Sequence, residues 1–102
     1  MYVFVIMKEH NTYESERLVS SNSYPFAVSG SKSYAEEIVK HDQAFEIEFD
    51  RNVSGDPIDI YKTDSTLQLK HKVNDIEHTN QIIWTIHRRE VLEKYWFLII
   101  QK

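Results

Sequence analysis

The chain opens on "YVFVIM", and Tyr2 to Met7 is apolar at every position. A strand that alternates between a wet and a dry face cannot read this way, because successive side chains point to opposite sides of a sheet. The run therefore asks for cover on both faces and for a central place in a sheet. Lys8 and Glu9 close it, and no basic residue precedes it as in a secretory leader, so the run reads as a strand. No other apolar run, "YWFLII" near the end included, approaches the ~20 residues that cross a bilayer. A protein of the cytoplasm, without a membrane partner, is the expectation.

A chain of 102 residues suffices for one core and is too short for two, so a single domain over 1–102 is expected. There is no cysteine, which excludes disulfides, thiolate metal sites and cysteine nucleophiles. Only two glycines and two prolines are present, leaving little room for linkers. Formal charge is −4, a balance unfavourable to general nucleic-acid binding unless a basic patch overrides it.

Beyond a turn at Glu9-His10-Asn11, the residues from Thr12 to Ser20 suit a partner strand toward the sheet edge, with Leu18 and Val19 as its apolar positions. "SNSYPFAVSG" reads as a loop, since Pro25 lacks a donor and Gly30 permits a reversal. In "SKSYAEEIVKHD", Ser33 and Glu36 have capping-box spacing, and Tyr34, Ala35, Ile38 and Val39 repeat as one apolar stripe. A short amphipathic helix follows, with Tyr34 in the core and Lys40 and His41 near its negative end.

The period then changes to two. Phe45, Ile47 and Phe49 alternate with Glu46, Glu48 and Asp50, predicting a half-buried strand. "RNVSGDP" carries turn chemistry, Ile58 and Ile60 begin another strand, and Thr63-Asp64-Ser65 turns into the alternation Leu67, Leu69, His71, Val73. Asn74 to Asn80 reads as a polar loop, after which Ile82, Trp84 and Ile86 resume the alternation. "TIHRREVLEKYW" is either the polar turn of a hairpin leading to a strand over Tyr95 to Ile100, the preferred reading, or part of a terminal helix. The fold class expected is α+β, a mainly antiparallel sheet of about five to seven strands under one short amphipathic helix.

Chemistry-bearing patterns are sparse. His71, Asp75 and His78 match no standard metal-site spacing, so a metal-dependent enzyme built on them ranks last and no metal or cofactor is expected. Ser20, Ser21 and Ser23 have no nucleophile elbow, and no glycine-rich phosphate loop is present, so no catalytic residue is assigned. Charge asymmetry remains: between Glu36 and Asp64, nine acids face three bases, a balance of −6. On a strand, Glu46, Glu48 and Asp50 would recur every ~6.6–6.8 Å as a row fit for a cationic groove on another protein. With Asp56 and Asp59 they form the expected partner-binding set, while Lys70, Lys72, His87, Arg88 and Arg89 form the alternative, nucleic-acid-binding set.

In its size, its lack of cysteine, its acidity, its hairpin-like start and its "SKSYAEEIV" helix, the chain resembles the small host-inhibitory proteins of bacteriophages, anti-CRISPR and other anti-defence proteins among them. That resemblance implies a non-enzymatic inhibitor or adaptor that binds and blocks a host protein, here one with a cationic surface, and it supplies no catalytic residues.

Overall fold

The computed structural model describes residues 1–91. The chain order is β1 (Tyr2–Glu14), β2 (Arg17–Ser29), α1 (Lys32–Ser54), β3 (Asp59–Lys62), β4 (Thr66–Val73) and β5 (Ile76–Glu90). The strands form one antiparallel sheet in the order β2-β1-β5-β4-β3, and α1 packs across one face. The fold is α+β, as the sequence patterning predicts. β1 has a strand on either side, the central place its apolar start predicts, but among the described residues α1 covers only one face of the sheet, so the expected cover on both faces is met on one.

Three boundaries differ from the expectation. β1 continues through Glu9-His10-Asn11, and the hairpin turns at Ser15 and Glu16, with Ser15 at φ 56. "SNSYPFAVSG" is mostly strand: Pro25 belongs to β2, an edge strand, where a missing N–H costs nothing if it faces away from β1. The predicted loop over Asn74 to Asn80 shrinks to Asn74 and Asp75, at φ 52 and 65, joining the paired residues Val73 and Ile76. Left-handed conformation at both central residues suits the strand twist, and Asn and Asp tolerate it. At the other end β5 runs on to Glu90, whereas the strand-or-helix choice for Tyr95 to Ile100 lies outside the described residues.

The largest correction concerns α1, which has 23 residues and absorbs the segment whose alternation suggested a strand. Phe45, Ile47 and Phe49 are helical, so the row of Glu46, Glu48 and Asp50 along one strand face does not exist. Asp42, Glu46 and Asp50, spaced by four, all turn toward the sheet and find partners there. The cap also moves: Ser31, in extended conformation, accepts from the Tyr34 N–H at 3.2 Å, and Ser33 only bonds the Ser31 hydroxyl. Gly55 closes the helix at φ 79, its N–H donating to the Arg51 carbonyl at 2.9 Å.

The core joins Ile6, Ala35, Val39, Leu67, Leu69, Ile82 and Trp84, with Phe4, Phe26 and Ile86 packed against it. Tyr34 is not part of it. One residue before buried Ala35, its side chain leaves the sheet and stands 63% exposed.

Candidate functional site

The helix meets the sheet along a polar seam. Lys8 follows Phe4 and Ile6 on the covered face of β1, so it projects into the interior where the apolar run has ended. Its Nζ lies 2.6 Å from Asp42 Oδ2 and 3.0 Å from Glu46 Oε1. The ammonium also stands 4.7 Å from the Phe26 ring centroid and 5.7 Å from that of Trp84. Burial alone pushes the Lys8 pKa down, but hydrogen bonds and charge from Asp42 and Glu46 outweigh it and hold the pKa above the ordinary value. Trp84 Nε1 donates to Asp42 Oδ2 at 2.8 Å, and Gln43 Nε2 donates to the Thr63 carbonyl at 2.8 Å.

Farther along the seam, buried His71 Nε2 donates to Asp50 Oδ2 at 2.6 Å, and Asn80 Nδ2 reaches Asp50 Oδ1 at 3.3 Å. A cleft of about 220 Å³ opens beside them, lined by His10, Glu46, Phe49, Asp50 and Asn80 among others. His10 stacks on Tyr24 with ring centroids 6.0 Å apart. Burial, then repulsion from Lys8, lowers its pKa against the pull of Glu46 and Asp42, favouring the neutral ring. Every carboxylate of the seam already accepts from a protein donor, and among the described residues no buried side-chain nitrogen or oxygen lacks a partner. The seam is built to fix the helix on the sheet; none of its carboxylates stands free as a base.

Of the predicted acidic set, Glu46 and Asp50 are thus committed to the interior. Glu48 is exposed on the outer side of α1, Asp59 on β3, and Asp56 pairs with Arg51 at 2.9 Å. The five do not share a face. The basic set divides as well: Lys70 pairs with Glu77 at 3.4 Å and Lys72 lies opposite Glu77 in the β4–β5 ladder. His87, Arg88 and Arg89 occupy the far end of β5, so Glu77 and Arg88 are separated by roughly 36 Å of strand. Arg88 sits over the Tyr2 ring, 4.6 Å from its centroid. His71 and His78 are cross-strand partners while Asp75 is in the hairpin turn, and among the described residues no group of three or more His, Asp or Glu could hold a metal ion.

A feature that the sequence reading assigned to the core lies outside. Glu36, Val39 and Lys40 line a groove with Asp64 and Ser65, so this flank of α1 faces the β3–β4 side. The opposite flank, carrying Tyr34, Ile38, Phe45 and Phe49, faces the β2 side by helical spacing. Phe45 and Phe49 are 58% and 54% exposed and stack with centroids 6.0 Å apart. Spacing by four was the available signal; alternation over five residues masked it. No protein-family model matches the chain, and no curated protein or solved structure matches it either.

Proposed function

We propose that the chain is a small protein-binding module, an inhibitor or adaptor of a host protein in the cytoplasm, in keeping with its resemblance to phage anti-defence proteins. The observation that carries this reading is the stacked, solvent-facing pair Phe45 and Phe49 on a helix whose other side is fully engaged with the sheet. Exposed aromatic rings grouped on a rigid element are what protein interfaces use as anchors. Glu48, exposed and three residues from Phe45, borders the rings by helical spacing, so the partner surface is an apolar hollow with a cationic rim. This replaces the strand-borne acidic row, keeps Glu48 from it, and leaves Asp56 and Asp59 outside the contact.

Affinity capture from the native host, with wild type and Phe45→Ser/Phe49→Ser side by side, tests the reading. A protein retained by wild type after nuclease treatment and lost from the variant is the expected result. Retention of DNA or RNA that depends on Arg88 and Arg89 would replace it with the nucleic-acid reading.

A further inference from the structure

We propose that β2 is a homodimerisation edge, through which two copies join their sheets about a two-fold axis centred on Asn22. This goes beyond the protein-binding reading and does not depend on it.

Backbone direction comes first. Ser15 N–H donates to the Glu77 carbonyl and Val91 N–H to the Met1 carbonyl, so odd-numbered residues along β1 turn their backbone groups toward β5. Even-numbered ones turn toward β2, pairing Lys8 with Tyr24, His10 with Asn22 and Thr12 with Ser20. On β2, therefore, Ser21, Ser23 and Pro25 point their backbone groups away from the sheet, and among the described residues no strand lies beyond them.

A long edge strand is ordinarily guarded by charge, bulges or proline. From Leu18 to Ser29 this one carries no charged residue. Its guards are Pro25 and two register shifts, opposite Thr12/Tyr13 and opposite Ile6/Met7, which leave Ser20 to Pro25 as the regular stretch between them. Those guards select the register. Setting Ser21 against the second copy's Ser23 uses both outward donors and both acceptors, giving about four ladder hydrogen bonds around a close Asn22–Asn22 pair. A shift that puts Ser21 against Pro25 loses donors, because proline has none. Shifting the other way brings the irregular Val19 into the ladder.

A second copy fits this edge better than a charged peptide, since an uncharged strand opposes itself without repulsion and offers a charged segment no counterpart. The other candidate edges lack that property. β3 spans four residues and begins and ends on Asp59 and Lys62, and the end of β5 beyond β4 would set Arg88 and Arg89 near themselves. With the axis perpendicular to the joined sheet, both helices lie on one face with their Phe45 and Phe49 flanks toward the axis. With α1 above β1 and β5, the helix axes are about four strand spacings, roughly 19 Å, apart, wider than direct helix packing at 8–10 Å. The aromatic rings of both copies then border one trough over Tyr24 and Phe26.

The absence of cysteine makes the test clean. In the proposed register the Asn22 Cα atoms stand about 4.5 Å apart, within disulfide range, whereas those of Ser20 are about 14 Å apart and out of it. In glutathione redox buffer, Asn22→Cys is expected to form a covalent dimer about tenfold faster or more than Ser20→Cys, because opposed thiols react at a raised effective concentration. Sedimentation of wild type should show concentration-dependent dimers, and Ser23→Pro, which removes an outward N–H and no hydrogen bond to β1, should be monomeric with an unchanged far-ultraviolet circular dichroism spectrum. Equal crosslinking of the two cysteine variants, or a wild type monomeric at millimolar concentration, overturns the proposal. The Phe45→Ser/Phe49→Ser variant, which leaves the edge intact, should still dimerise, so loss of host partner and loss of dimer are read separately.

Discussion

Lys8 Nζ sits 2.6 Å from Asp42 Oδ2, joining the middle of β1 to the middle of α1 across the interior of the fold. Asp42 also accepts a hydrogen bond from the Trp84 indole N–H, so one carboxylate ties the helix to two neighbouring strands. Removing the cation leaves Asp42 and Glu46 buried together without it. Lys8→Met is expected to cost about 3–5 kcal/mol in urea unfolding.

The same ammonium gives an alkaline signature. Its pKa is raised on folding, so its contribution is fully present below the unfolded value of 10.5 and fades as pH rises through the higher folded one. Wild-type stability measured by urea midpoint should fall above pH 10.5 more steeply than that of Lys8→Met.

His10 acts at the other end of the scale. Its folded pKa lies below 6.5, so stability is complete above that pH and is lost as pH falls through the folded value, where the half-buried ring must charge beside Lys8. His10→Gln should flatten the slope of stability against pH below 6.5.

Charge reversal separates neighbours that look alike in sequence. Glu46→Lys sets a second ammonium against Lys8 and should cost about 3 kcal/mol or more, while Glu48→Lys, on the wet side of α1, should stay within about 0.5 kcal/mol. Equal effects in thermal unfolding would mean that the helix does not present Glu46 to the sheet.

The helix start offers a comparison of two serines. Ser31→Ala removes the acceptor of the Tyr34 N–H and should lower stability by about 0.5–2 kcal/mol. Ser33→Ala, predicted by the capping-box spacing to be the damaging change, should cost only a few tenths of that range in urea titrations, because the Ser33 hydroxyl only bonds the Ser31 hydroxyl.

What the sequence determined by itself was everything that depends on local pattern with few competitors. Leu67, Leu69, His71 and Val73, then Ile82, Trp84 and Ile86, alternate cleanly and are strands, with all of those residues but the exposed Val73 covered. The apolar run at Tyr2 to Met7 is an interior strand, and the class is α+β with an antiparallel sheet. Tertiary structure decided the rest. Between Gln43 and Asp50 the same letters satisfy a period of two and a spacing of four, and nothing local chooses. Lys8, His71 and Asn80, 21 to 38 residues distant from their partners in the chain, choose by offering Asp42, Glu46 and Asp50 hydrogen bonds that only a helix can reach together. Once α1 turns its acids inward, Phe45 and Phe49 must turn outward. A buried carboxylate without a partner costs more than two half-exposed rings, and that imbalance, invisible in a linear pattern, placed the aromatic surface on which the function is proposed to rest.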